Sequence, residues 1–195
     1  NGVSCLSLEA VTPPKQQIMA SRSFGSSVFD VEDIREALAH HVSRAAERLR
    51  SQSDEAGALA VMIRTNPFKP AELQYQRTVT LPLATPTSDT LQLIAMAHRI
   101  LDDIFRHGFA YHKAGVMLSD IQPATARQAD LFGLPAQDAR RQAAMQVMDE
   151  INRKWGRGMV GASAAGHRAG WQMRRERLSP AYTTSWSDLP TALAL

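Results

Sequence analysis

Two amphipathic stripes of helical period, flanked by short stretches in which alternate residues are apolar, limit what this chain can fold into. Residues 15–24 alternate, with Ile18, Ala20 and Phe24 on one side and Met19, Ser21 and Ser23 on the other, and Gly25-Ser-Ser ends this first strand. Asp30 is a plausible N-cap for a helix, with Glu32 and Asp33 in a first turn that favours acids. Val31, Ile34, Leu38, Val42 (or His41), Ala45 and Leu49 then recur at helical spacing to about Gln52, and Arg35, Arg44, Glu47, Arg48 and Arg50 lie opposite. Residues 58–64 alternate again, Thr65-Asn-Pro-Phe-Lys-Pro70 turns the chain, and residues 73–81 form a third strand whose Gln74, Gln76, Thr78 and Thr80 share a polar face. Pro82 and Pro86 bracket a break. Thr87 or Ser88 caps a second helix with the stripe Leu91, Ile94, Ala97, Leu101, Ile104 and Phe105, Gly108 stops it, and residues 111–118 supply a fourth strand.

The order β-α-β-β-α-β is a split βαβ arrangement. It predicts an α+β, two-layer domain over residues 15–120: a four-stranded sheet with both helices on one face and the other face open. Arg64, with some of Gln74, Gln76, Arg77 and Lys113, is expected on that open face. Residues 1–14 read as a linker closing in Thr12-Pro13-Pro14, and residues 121–138 as a second linker. Residues 139–195 make a small, mostly helical or irregular C-terminal region. Its helix spans residues 139–155, with Ala144, Val147, Met148, Ile151 and Trp155 at helical spacing. It holds too few large apolar residues for a strong core, so a small domain or an appendage packing on something else is expected.

The second linker contains Gln128-Ala129-Asp130-Leu131-Phe132, between Pro123 and Pro135. A linker offers Leu131 and Phe132 nothing local to bury them. Seated in a partner, each contributes roughly 1.5–3 kcal/mol before ordering costs. The plainer alternative is a loop that folds both back onto its own domain.

Charge and composition narrow the partners. The net charge is +3, yet residues 1–120 hold 12 Lys+Arg against 13 Asp+Glu, while residues 121–195 hold 10 against 6. A weakly basic C-terminal part is compatible with phosphate contacts. The single cysteine, Cys5, permits no internal disulfide and fits a reducing cytoplasm; a small buried apolar residue is the expected role. No run of 18 apolar residues and no signal-peptide pattern is present, so no membrane partner is expected. The opening Asn1-Gly-Val-Ser-Cys-Leu lacks an initiator Met, which suggests a fragment of a longer chain.

No catalytic residue and no metal site emerges from these residues. Asp102 and Asp103 are adjacent on a helix and diverge by about 100°, as do His40 and His41, which have no further ligand at metal spacing. His107 and His112 read as surface residues, and no glycine-rich phosphate loop or nucleophile elbow occurs. Binding readings remain. An RNA-recognition domain of this topology needs stacking aromatics on its central strands, and the third strand offers only Tyr75. A polar, basic open sheet can instead lie across a duplex and contact phosphates without reading bases.

Four blocks in register, Ser21-Arg22-Ser23-Phe24-Gly25, Arg64-Thr-Asn-Pro-Phe68, Tyr111-His-Lys-Ala-Gly-Val-Met-Leu118 and Ser179-Pro-Ala-Tyr-Thr-Thr-Ser-Trp186, resemble the C-terminal part of UmuC-type Y-family DNA polymerases. The resemblance covers essentially the whole chain. It implies that residues 15–120 are the little finger, which grips template-primer DNA, and that Gln128, Ala129, Asp130, Leu131 and Phe132 dock on the β sliding clamp. Ala129 departs from the family's usual Leu. It also implies that residues 139–195 are where a UmuD′-type subunit and RecA make contact. The palm carboxylates that would use Mg²⁺ are absent, so the resemblance implies no cofactor and no polymerisation by this piece itself. Arg22, Arg64, Arg77 and Lys113 are the expected DNA contacts; simple surface solubility is the alternative for each. The rival reading of the whole chain is a free-standing scaffold with a ferredoxin-like domain and a docking peptide that never touches DNA.

Overall fold

The computed structural model of the chain describes residues 15–126, 139–166, 170–173 and 179–190. Strand β1 (Ile18–Val28) leads into helix α1 (Val31–Arg50). Strands β2 (Asp54–Thr65) and β3 (Gln76–Thr87) follow, then helix α2 (Thr90–Ile104) and strand β4 (Tyr111–Pro123). The sheet order is β1-β4-β2-β3 and every neighbour pair is antiparallel. Helix α1 packs over β1 and β4, α2 over β2 and β3, and the helices pack against each other. The expected α+β two-layer architecture is the one observed.

The periodicities explain the core. Ile34, Leu38, Val42, Ala45 and Leu49 of α1 are buried against Leu59, Val61 and Ile63 of β2 and Val116 and Leu118 of β4. His41 belongs to the same face and is 4% exposed. On α2, Thr90, Leu93 and Ile100 join Ile94, Ala97, Leu101 and Ile104 inside, whereas Leu91, counted in the stripe from sequence, is outside. Asp30 caps α1 as expected, its Oδ1 accepting from the Glu32 amide at 3.0 Å. The α2 cap is Asp89, accepting from the Leu91 amide at 2.8 Å, rather than Thr87 or Ser88. Thr87 stands two residues back, its hydroxyl accepting from the Asp89 amide at 3.1 Å.

The strands are longer than their sequence signals. The third begins at Gln76 instead of residue 73 and runs through Pro82 and Pro86, which were read as a break. It is an edge strand, and one row of its backbone amides needs no partner, so proline costs little there. The first strand likewise continues past Gly25 to Val28, through a register shift against β4 between Ser23 and Val28. The second starts at Asp54, four residues before its expected start, and β4 extends through Ile121 into the expected linker. Helix α2 ends at Ile104; Gly108 lies in the following turn at φ +87°, a conformation that favours glycine.

Helix α3 (Ala139–Trp155) coincides with the expected span but docks on another face. Met145 is its buried residue, while Val147 and Trp155, both in the expected stripe, are exposed. Arg50 at the end of α1 holds Asp149 of α3 by a two-pronged pair, Nε to Oδ2 at 2.6 Å and Nη2 to Oδ1 at 2.7 Å. The remaining Arg50 nitrogen donates to the Ser88 carbonyl at 2.7 Å and to Thr90 Oγ1 at 2.9 Å. Beyond α3 the Asn152 side chain closes the turn onto the Val160 backbone in both directions, at 2.8 and 3.0 Å. The chain then lays a 3₁₀ turn, Ser163–Ala165, along α1.

Trp171 completes the attachment. It is 3% exposed, and its ring centroid lies 5.7 Å from His40, 5.8 Å from His41 and 6.2 Å from Phe24. The Gly25 amide donates to the Trp171 carbonyl at 3.0 Å. Burial, with smaller contributions from His40, Arg22 and Arg44, pushes the His41 pKa down to about 4.

Candidate nucleic-acid interface

The face of the sheet opposite the helices is set by strand parity. Antiparallel partners point the same way, so each registered row crosses all four strands on one face. The first row is Gln76, Arg64, Lys113 and Ser23. The second is Thr78, Met62, Gly115 and Ser21, and the third is Thr80, Ala60, Met117 and Met19. No Asp, no Glu and no aromatic residue stands in these rows.

Two features give this face its character. Arg64 and Lys113 are directly opposed on neighbouring central strands, a like-charge pairing that destabilises a sheet unless something else is gained. Arg64 Nε is also buried without a hydrogen-bond partner. The second feature is shallowness. A Cβ added at Gly115 would overlap the Ser21 Cβ and stand 3.0 Å from its Cα, so the middle of the face admits no side chain. A depression of only about 40 Å³ lies there, lined among others by Met19, Met62, Thr78 and Met117. The result is a flat, acid-free platform with two cations at one end, suited to an extended polyanion and unsuited to stacking bases.

The four basic residues singled out from sequence are not all brought together. Arg64 and Lys113 meet on the open face. Arg22 pairs with Ala114 and Arg77 with Ile63, so both alternate to the helix side, on opposite edge strands. Gln74 precedes β3 and its amide closes the β2–β3 turn on the carbonyls of Asn66, Lys69 and Glu72. Sequence alternation alone could have separated Arg22 from Ser21 and Ser23; the parity of Arg77 depended on the true start of β3. Gln128, Ala129, Asp130, Leu131 and Phe132 lie outside the described residues, between the 3₁₀ turn Ala124–Ala126 and α3. So does Cys5. Among the described residues no cluster of three or more His, Cys, Asp or Glu could hold a metal ion, and no helix is long and apolar enough to cross a membrane.

Residues 15–131 match the model of the impB/mucB/samB family C-terminal domain. The chain belongs to that family. A second model, of a domain of unknown function, matches residues 142–192. Among curated family members, SamB of Salmonella typhimurium is 45% identical over 192 residues, covering 98% of this chain and 45% of its own length. UmuC of Salmonella typhimurium is 40% identical over 188 residues, covering 96% and 44%. MucB of Escherichia coli is 40% identical over 191 residues, covering 98% and 45%. The chain thus spans a little under half the length of these relatives, and the resemblance to the UmuC type read from four sequence blocks is borne out. A distant likeness to a solved Y-family DNA polymerase chimera covers 60% of this chain and 32% of the other, with a TM-score of 0.43 and 12% identity.

Proposed function

We propose that this chain is the DNA-binding and clamp-binding C-terminal portion of an error-prone translesion DNA polymerase of the SOS response. The observation that carries the reading is the open face: opposed Arg64 and Lys113, no acid, and a floor flattened by Gly115. Such a surface holds a duplex by its phosphates and leaves base edges unread. A polymerase that copies damaged templates needs that tolerance, because base readout penalises lesions. A grip made of so few contacts is weak. The segment Gln128 to Phe132 offsets this by tethering the domain to a ring around the DNA, which raises the effective concentration without adding DNA contacts. Cytoplasmic action follows from the same role. A UmuD′-type subunit and RecA are proposed to meet residues 139–195.

Two titrations test the reading. Template-primer duplex is bound by the wild-type chain and by Arg64→Ala/Lys113→Ala at several salt concentrations. The double variant is expected to lose affinity equally for all sequences, with a log-log salt slope reduced by about 2. An unchanged slope would remove the open face from DNA binding and favour the scaffold reading. Binding to a bacterial β clamp is then measured with Leu131→Ala/Phe132→Ala as the control. Loss of binding in that variant supports the tether, and equal binding by both chains overturns it.

A further inference from the structure

On the helix side of β1, Arg22 and Arg48 lie beside that strand and Arg44 stands one turn before Arg48, while Arg157 beyond α3 comes close enough to Arg44 to act on its charge. Arg22 alternates to the helix side of β1, opposite Ala114. Arg44 and Arg48 stand one turn apart on α1, about 6 Å along the axis. The Arg48 Nη1 donates to the Met19 carbonyl at 3.4 Å, which holds that guanidinium beside β1. Arg157 follows α3, in the turn closed by Asn152 and Val160.

The convergence registers on the groups inside it. Burial lowers the Arg44 pKa from its ordinary value, and so do Arg157, Arg48 and Arg22, with Glu47 opposing them. His40 is lowered by burial and then by Arg44 and Arg22. Among the described residues none of the four arginines forms an ion pair with a carboxylate. Elsewhere arginines of this chain do find acids: Arg35 takes Glu32 and Asp102, and Arg50 takes Asp149.

We infer that Arg22, Arg44, Arg48 and Arg157 form a second anion site, which takes the phosphate backbone of single-stranded nucleic acid. Guanidinium forks match phosphate oxygens, and the one-turn spacing of Arg44 and Arg48 suits neighbouring phosphates on one strand. Trp171, the ring beside His40, is buried and offers no face to bases, and contacts to phosphate alone are sequence-neutral. Its position gives it a role. Ser23 ends the charged row of the open face and Arg22 is its chain neighbour, turned to the other side of the same edge strand. A strand leaving the open face at that edge meets Arg22 first and then the α1 arginines. The continuity of this path rests on the open face seating a duplex; the anion site itself does not. Arg157 belongs to the C-terminal region, so that region completes the site by docking.

The test is fluorescence anisotropy of labelled oligothymidylate and of a labelled blunt hairpin duplex, with the full chain, across a salt series. Arg44→Ala/Arg48→Ala/Arg157→Ala is expected to lower the salt slope for oligothymidylate by about 2, from 0.7 per lost phosphate contact, and to leave the hairpin slope unchanged. Arg44→Lys/Arg48→Lys/Arg157→Lys, which keeps the charge, is expected to retain most of the slope and separates charge from folding. Arg64→Ala/Lys113→Ala is expected to do the reverse, so failure of the open-face reading is seen on the hairpin and failure of this one on the single strand. An oligothymidylate slope that survives the triple alanine change overturns the inference. Displacement of the strand by polyglutamate of equal charge at equal concentration also overturns it, and makes the cluster a seat for an acidic protein.

Discussion

Residues 15–126 and the described residues between 139 and 190 hold their shape by opposite means. The first part encloses a core of its own, in which Ile34, Leu38, Leu59, Ile63, Leu93, Ile100, Leu101 and Leu118 are wholly buried. The second, among its described residues, buries only Met145 and Trp171, each at an attachment to the first. One body therefore folds by collective burial, and the other is positioned by a few contacts with it: the Arg50–Asp149 fork, the turn along α1, and Trp171 beside His40 and His41. Local opening should follow that division, with the second part released at lower free energy than the global transition.

The largest expected effect breaks the first body. Leu101→Ala removes a fully buried side chain from the last turn of α2 and should cost about 2–5 kcal/mol. Urea unfolding followed by hydrogen exchange should show α3 losing protection no later than the sheet. Protection of α3 that outlasts the sheet would mean that residues 139–190 fold alone.

Acid sharpens the comparison next. Folded His41 stays neutral down to about pH 4, whereas in the unfolded chain it takes up a proton near 6.5. The unfolded state binds more protons in that window, so stability is complete above pH 6.5 and falls as pH drops toward 4, by about 3 kcal/mol as an upper bound. Part of the burial comes from Trp171. In Trp171→Ala, NMR titration should find the His41 pKa moved back toward 6.5 and the acid loss of stability reduced. A His41 titration indifferent to Trp171 would assign the burial to the first body alone.

The smallest effect is local. Asp149→Ala leaves the Arg50 fork half-satisfied, a loss of about 1–3 kcal/mol confined to the docking of α3. Amide exchange should accelerate by about tenfold or more over residues 139–155 and stay unchanged in β2 and β4. Acceleration in the central strands would show that the two bodies are energetically one.

The first body was legible because its burial follows periods of 2.0 and 3.6, which are local properties of sequence. Even its errors share a cause. Pro82, Pro86 and Gly25 were read as stops by local conformational preference, and tertiary position overrode them: Pro82 and Pro86 lie on an edge strand, and Gly25 lies at a register shift. Arg64 was legible on the open face because its strand alternates clearly, and Lys113 was among the residues expected to join it there. Arg22 and Arg77 were not, since which side they face depends on strand phase. Met145 and Trp171 left no periodic trace, because a contact between distant segments is a matter of shape rather than of spacing. Arg44, Arg48 and Arg157 converge for the same reason, unannounced by any motif.

The edges of the sheet carry a further consequence. A bare edge strand is a template on which another copy of the chain can add. Here Pro82 and Pro86 remove two backbone donors from edge strand β3, and the Gly25 donor on β1 is already taken by the Trp171 carbonyl. Docking of the C-terminal segment is thus also a guard against aggregation. Loss of Trp171 should lower the solubility of concentrated protein as well as the stability of the sheet domain.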